Sequence, residues 1–324
     1  MKFLLLTCLF FSRLLLLDAQ NDSLLLEGPK EISERPKIVL YSTISAYSIG
    51  ATSLYFAWYK DFEQRGFHFF NDWGEWEQVD KYGHAYSSYA QSYLLHKAFL
   101  WSGQSNKKAL THAALISLGF QTSIEIMDGF SSEWGFSVAD FGFNLLGTGS
   151  YIMQEKYWGH QKFKLKFSYW PISYSNEPLL FENAHQITTA QARANELFGK
   201  SPIEKFLKDY NAQTVWISFD LDKIFPNWKG PGWLDLALGL GAQNMYGGFG
   251  NAWEHNNIQV YLDRSQYVRG KQFVLALDYD LSSIDTKSAF LKTILDGLNL
   301  LKWPSPAIEY STEGQWTFHL MFVN

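Results

Sequence analysis

After Gly159 the chain changes period, and no other feature limits its possible folds so strongly. Over 162–169, Phe163, Leu165, Phe167 and Tyr169 alternate with Lys162, Lys164, Lys166 and Ser168. Val215, Ile217, Phe219 and Leu221 alternate with Thr214, Trp216, Ser218 and Asp220, and Leu234, Leu236, Leu238 and Leu240 with Asp235, Ala237, Gly239 and Gly241. The pattern returns around Phe273, Leu275, Leu277 and Tyr279, and again at Trp316, Phe318, Leu320 and Phe322. A period of two sends successive side chains to opposite faces, so these segments predict antiparallel strands with one apolar face. Two arrangements satisfy that pattern. In one, the apolar face of a sheet or partial barrel packs on helices. In the other, an outer-membrane barrel turns its large apolar residues to lipid and its small or polar ones to the lumen.

Upstream the spacing is helical. Helices are expected over 80–102, 106–128 and 137–158, with Gly103 and Gly129 as stops and Ser137 as an N-cap ahead of Asp140. Their short connections predict antiparallel neighbours in a bundle. Between Lys37 and Lys60 no charge occurs. That length approaches the ~20 residues of a membrane span, but its many Ser, Thr and Tyr favour a buried or half-inserted helix. Two helices interrupt the strands. One starts with Ser201, Pro202 and Glu204, a capping box with proline at the first turn. The other, over 286–303, is amphipathic through Phe290, Leu291, Ile294, Leu295, Leu298 and Leu301, and ends at Pro304. The expected fold class is α+β: an N-terminal helical bundle of about four helices, followed by an antiparallel β-sheet or partial barrel with inserted helices. The expected division is a signal peptide at 1–19, a linker at 20–36, a helical domain at 37–159 and a β-rich domain at 160–324.

The signal peptide follows from Lys2, the apolar run from Phe3 to Leu17 and the small Ala19. Cys8 is the single cysteine. With cleavage after Ala19 the mature chain lacks thiols, which excludes disulfides, thiolate metal sites and cysteine nucleophiles. The formal charge of −5 carries no basic stripe, so nucleic acid is not an expected partner. An aromatic content of 18% suits either a membrane interface or a dense core.

Three helices of the first half carry polar pairs on one face each: Asp80 with His84, Glu125 with Asp128, and Asp140 with Asn144. If those faces meet, the carboxylates and histidine of Asp80, His84, Glu125, Asp128 and Asp140 would suit a divalent metal. With Asn144 they would also suit acid/base chemistry. Each pair has an ordinary structural reading as well, as a cap or a register-setting contact. The remaining histidines (His96, His112, His160, His185, His255 and His319) show no ligand spacing and are expected on surfaces or loops. The glycine-rich 245–253 has no helix start behind it, so it predicts a flexible turn or loop and no phosphate cradle.

DKYGH from Asp80, EIMD from Glu125 and GFSVADFGFNLLG from Gly135 resemble the YfiM-type envelope family, a domain of unknown function noted in bacterial lipoproteins. The first and last of these are similar, more distantly, to VanZ-like membrane proteins. With FHFFND, LKDYNAQTVWISFDL and LALGLGAQNMYGG, the whole chain resembles a longer form known from Bacteroidetes-type envelope proteins. The resemblance implies a Gram-negative envelope, in the outer membrane or periplasm, with a membrane or envelope component as partner. It implies no reaction. The chain departs from the lipoprotein members in lacking a credible lipobox. The expected function is therefore an exported, membrane-associated envelope protein with a structural or ligand-binding role. The alternatives are a metal-assisted or acid/base hydrolase of an envelope substrate, and an outer-membrane β-barrel with a helical attachment.

Overall fold

The computed structural model describes residues 30–59, 62–183 and 187–323. The expected signal peptide, Cys8 and His185 lie outside them. Backbone contacts divide the chain into two compact units. One comprises Met1–Asp72 and Ser87–Tyr157, the other Trp73–Tyr86 and Trp158–Asn324.

The first unit is helical. Its elements are α1 (Lys30–Leu54), continued by a π-helical turn at Tyr55–Tyr59, the greater part of α2 (Val79–Trp101), α3 (Asn106–Asp128) and α4 (Val138–Trp158). The last three begin and end within a residue or so of the boundaries expected from caps and glycines. The α1 helix departs from expectation by starting at Lys30, inside the segment read as linker. Pro36 lies within it and removes one ladder donor, yet the run that follows carries the helix on. No helix among the described residues is long and apolar enough to cross a membrane. The α1 helix buries Val39, Leu40 and Ala51 while Ile38, Tyr41 and Ile49 stay exposed.

The aromatic turn before α2 is tied to the α3–α4 connection. Phe70 N–H donates to Phe136 O at 3.1 Å, Phe136 N–H to His68 O at 2.9 Å and His68 N–H to Gly129 O at 2.9 Å. This crossing explains two glycines of the motif. A Cβ on Gly129 would stand 2.4 Å from the Phe67 ring, and one on Gly135 would stand 2.6 Å from Phe70 Cβ.

The second unit is built on one sheet of order β1-β2-β3-β6-β7-β8, antiparallel throughout. Its strands are β1 (Phe163–Tyr169), β2 (Gln213–Phe219), β3 (Leu234–Gln243), β6 (Gly270–Tyr279), β7 (Ser305–Ser311) and β8 (Trp316–Phe322). A separate hairpin pairs β4 (Ala252–His255) with β5 (Ile258–Tyr261). Helices α5 (Ala190–Phe198), α6 (Pro202–Lys208), α7 (Leu221–Ile224) and α8 (Ala289–Leu298) fill the connections. The capping box at Ser201 and Glu204 forms as read.

Three features depart from expectation. The β7 strand and the β4–β5 hairpin were not legible, because SPAIEYS carries a proline and the hairpin strands are short. The 286–303 helix is shorter than its apolar spacing predicts, since Leu300 and Lys302 leave it to bond β1. Phe167 N–H donates to Leu300 O at 3.2 Å, and Lys302 N–H to Phe167 O at 2.9 Å. The sheet thus curls toward its first strand, but no strand pairing among the described residues closes it into a barrel.

The polarity of the curled sheet is inverted. Its buried concave face carries Lys164, Lys166, Trp216, Ser218, Asp235, Ala237, Val274, Ala276, Asp278, Ala307 and Glu309. The large apolar residues point the other way. Curvature accounts for the small residues inside, since a concave face has little room. Gly239 shows the limit, as a Cβ there would meet the Trp216 ring at 2.6 Å.

Candidate functional site

The polar residues singled out from the sequence fall into both units. Asp80 and His84 belong to the second; Glu125, Asp128, Asp140 and Asn144 belong to the first.

In the second unit, Asp80 sits in the first turn of α2. It accepts a hydrogen bond from the Tyr210 hydroxyl at 2.7 Å and pairs with the buried Lys81 ammonium at 3.0 Å. The His84 imidazole lies 3.8 Å away, as the i, i+4 spacing requires. Burial alone would push the Asp80 carboxyl up. Lys81, His84 and the Tyr210 hydroxyl outweigh it and hold the group below the usual carboxylate range. The turn ahead of it is unusual, for Trp76, Glu77 and Gln78 all have positive φ. Such a run costs about 1–2 kcal/mol per residue. Trp76 N–H donating to Gly248 O at 2.8 Å and Arg269 paired with Glu77 at 2.7 Å hold it in place. Arg269 also bonds the carbonyls of Gly247 and Gly248. The glycine-rich segment is a loop between β3 and β4, as expected, and Met245 anchors it in the core.

In the first unit, Asp128 accepts from the Tyr59 hydroxyl at 2.6 Å. Burial, reinforced by Asp128 and Glu125, raises the Tyr59 phenol well above its ordinary value. Asp140 N–H donates to Ser137 Oγ at 3.0 Å, which confirms the N-cap, and the Ser137 hydroxyl donates to Asp72 at 2.6 Å. Glu125, Asp140 and Asn144 are buried.

A second polar seam escaped the sequence reading. Ser88 O accepts from the hydroxyls of Ser92 at 2.8 Å and Ser117 at 2.9 Å. Thr148 Oγ1 lies 3.3 Å from Ser92 Oγ and 3.4 Å from Ser117 Oγ, which joins α2, α3 and α4. One level along, buried His96 bonds the Tyr151 hydroxyl and Asn106 Oδ1, both at 2.8 Å. The expectation of a surface or loop His96 is corrected. Burial lowers the pKa of its imidazole. The signal that could have found it is the polar stripe of α4, Asp140–Asn144–Thr148–Tyr151, at helical spacing.

The densest cluster of charge lies on the concave face of the sheet. Oxygens of Asp220, Asp235 and Asp280 all lie within 4.8 Å of one another, a spacing that could hold a cation. Lys164 Nζ already stands among them, at 3.0, 3.0 and 2.7 Å. Its ammonium supplies the charge a metal would, so this donor set does not fit a further ion. Lys166 pairs with Asp278 at 2.7 Å and donates to Asn299 Oδ1 at 2.9 Å. Burial raises the carboxyls of Asp220 and Asp280, but the Lys164 ammonium and hydrogen bonds overcome it and hold both below the usual range. Lys302 lies 3.8 Å from Asp278 and over the Trp216 ring at 5.0 Å; burial pushes its pKa down to about 8.

At the other end of the strands, where β3 ends and β6 begins, is a cavity of ≈ 500 Å³, lined among others by Tyr174, Asn211, Asn244, Tyr246 and Tyr267. Behind it, Asp209 accepts from Tyr174 at 2.9 Å, and burial raises its carboxyl. Amides and phenols suit a neutral, hydroxyl-bearing ligand.

No curated protein and no solved structure matches the chain. Residues 68–156 match a family model described as "Predicted periplasmic lipoprotein (DUF2279)". The match runs from the aromatic turn into α4 and stops before the sheet. Over that stretch the chain is similar to an exported envelope family of unknown activity.

Proposed function

We propose that the protein is an exported component of a Gram-negative envelope, held at a membrane and serving a structural or ligand-binding role. The YfiM-type resemblance, with its distant VanZ-like element, fits this reading. The observation that carries it is the inverted polarity of α4. That helix exposes Val138, Leu145, Leu146 and Met153 while it buries Asp140, Asn144, Thr148 and Gln154. A soluble helix turns its apolar stripe to the core, whereas a helix facing lipid keeps its polar groups inside. In this reading the signal peptide at 1–19 directs export and the division at 159 separates the helical part from the β-rich part. Asp80, His84, Glu125, Asp128, Asp140 and Asn144 hold helices in register and perform no reaction. The Tyr210 bond to Asp80 and the Tyr59 bond to Asp128 support that role.

Expression in a Gram-negative host followed by separation of periplasm, inner membrane and outer membrane tests the reading. Recovery with a membrane fraction is expected, and recovery in the soluble periplasm refutes it. Elemental analysis of the purified protein tests the hydrolase alternative in its metal-assisted form. A stoichiometric divalent metal, lost in Asp80→Ala and His84→Ala, would put metal chemistry in place of the structural role.

A further inference from the structure

We infer that the convex face of the curled sheet is a lipid-facing surface, seated in the hydrocarbon layer of a bilayer. This rests on the membrane reading above and adds which surface makes the attachment.

The register of the sheet carries the inference. Leu165 pairs with Ile217, Ile217 with Leu238, Leu238 with Leu275, Leu275 with Ile308, and Ile308 with Phe318. That is one unbroken apolar row across all six strands. A second row runs Phe167, Val215, Leu240, Phe273, Tyr310 and Trp316, and a third runs Phe163, Phe219, Leu236 and Leu277. In the second row Phe167 and Val215 are buried and Leu240 packs, with Trp76 and Tyr210, on the core around Met245, so that row is open only from Phe273 to Trp316. Leu238 is 50% exposed, Leu275 42% and Phe318 66%, which is high for side chains standing between strand neighbours. From Leu236 to Leu240 the three rows cover about 13 Å along the strand, about half the ~25 Å apolar band of membrane β-proteins, as suits a surface seated in one leaflet.

The opposite face supplies an independent reason. A soluble sheet with one wet face puts its charges on that face. Here Lys164, Lys166, Asp235 and Asp278 are buried in ion pairs on the concave side. Although Asp235 Oδ1 and Asp278 Oδ1 accept no hydrogen bond there, the charges are held inside and the apolar groups face out. Membrane β-proteins have that polarity. Aromatic residues also mark both ends of the strands, as they do at bilayer interfaces. Trp158, Trp233, Tyr279 and Trp303 lie at one end, Tyr169, Tyr310 and Trp316 at the other. At the first end α8 leaves Phe290, Leu291 and Ile294 exposed, while Lys292 turns back to Ser282 O at 2.8 Å. That is the form of a helix lying in an interface. Among the described residues the outer edge of β8 carries no strand partner, and hydrocarbon does not tolerate an open edge. The embedded area therefore runs from β1 to β7, with β8 at its rim.

The test uses the full chain with Cys8→Ser and single nitroxide-labelled cysteines, added to phosphatidylethanolamine/phosphatidylglycerol vesicles. Labels at Leu165→Cys, Leu238→Cys and Leu275→Cys should collide with oxygen and escape a water-soluble nickel chelate. A label at the exposed Lys287→Cys should show the reverse. In an unlabelled chain Leu275→Lys should lower vesicle partitioning by about thirtyfold or more. It leaves circular dichroism unchanged, because the site is exposed. Flotation with vesicles while the chelate reaches the middle row would overturn the inference and leave the membrane reading standing. No flotation would overturn both. Labels shielded from oxygen and chelate alike, with label–label broadening, would replace lipid by a second copy of the chain and also overturn it.

Discussion

The helical unit and the sheet unit solve the same problem with different groups. Both bury polar side chains and expose apolar ones. The helical unit buries the carboxyls of Glu125 and Asp140, but its α2–α3–α4 seam is neutral, made of the hydroxyls of Ser92, Ser117 and Thr148 and the imidazole of His96. The sheet unit buries full charges, with Lys164, Lys166 and Lys302 set against Asp220, Asp235, Asp278 and Asp280. A neutral seam can lose a member at modest cost, because a buried hydroxyl left alone loses one hydrogen bond. A charged network cannot, because a buried ion without its counter-charge costs several times more. The comparison therefore predicts a brittle charged network in the sheet and a tolerant neutral seam in the bundle.

Removing the central ammonium should break the comparison open most clearly. Lys164→Met leaves three buried carboxylates facing one another and should destabilise the sheet unit by ~3–5 kcal/mol. Urea unfolding followed through a strand-specific probe measures it, and a loss below about 1 kcal/mol would show that the network is not what holds the strands.

Acid should act in the same direction with less force. The carboxyls of Asp220 and Asp280 lie below their ordinary value in the folded chain. Their contribution is thus present above the unfolded carboxylate value of 3.8 and is lost as pH falls through the folded values. Asp235 beside them is raised by burial to about 6, so its protonation between about pH 6 and 4 acts the other way, and the loss of stability in the sheet unit is expected below about pH 4. Hydrogen exchange at stepped pH would locate the change, and equal acid sensitivity of the Ser88–Ser117–Thr148 seam would erase the contrast between the units.

The smallest effect belongs to the seam. Ser117→Ala removes the donor to Ser88 O, and Ser92 still supplies that carbonyl. A loss of about 1 kcal/mol is expected. A loss equal to that of Lys164→Met would mean that the neutral seam is as critical as the charged one.

Much of this organisation was readable before any coordinates. The caps and glycine stops placed α2, α3 and α4 almost to the residue, because each signal acts within one helical turn. The Ser201 capping box is equally local. Five of the six sheet strands were visible as alternation. What escaped was whatever depends on distant partners. The β7 strand has little hydrophobic pattern of its own and pairs because β6 and β8 flank it. His96 looked isolated because its partners, Tyr151 and Asn106, come from other helices. The Asp80–Tyr210 bond joins residues 130 positions apart.

Sequence alone determined that the second half alternates, that one set of side chains is large and apolar, and that the other is small or charged. It could not determine which set lies inside, since a period of two is symmetric between the faces of a sheet. The tertiary structure decided that. Curvature put the small residues on the concave side, and the register of β1, β3 and β6 brought Lys164 and Lys166 against Asp235 and Asp278. With the charges paired there, the apolar rows were left facing outward.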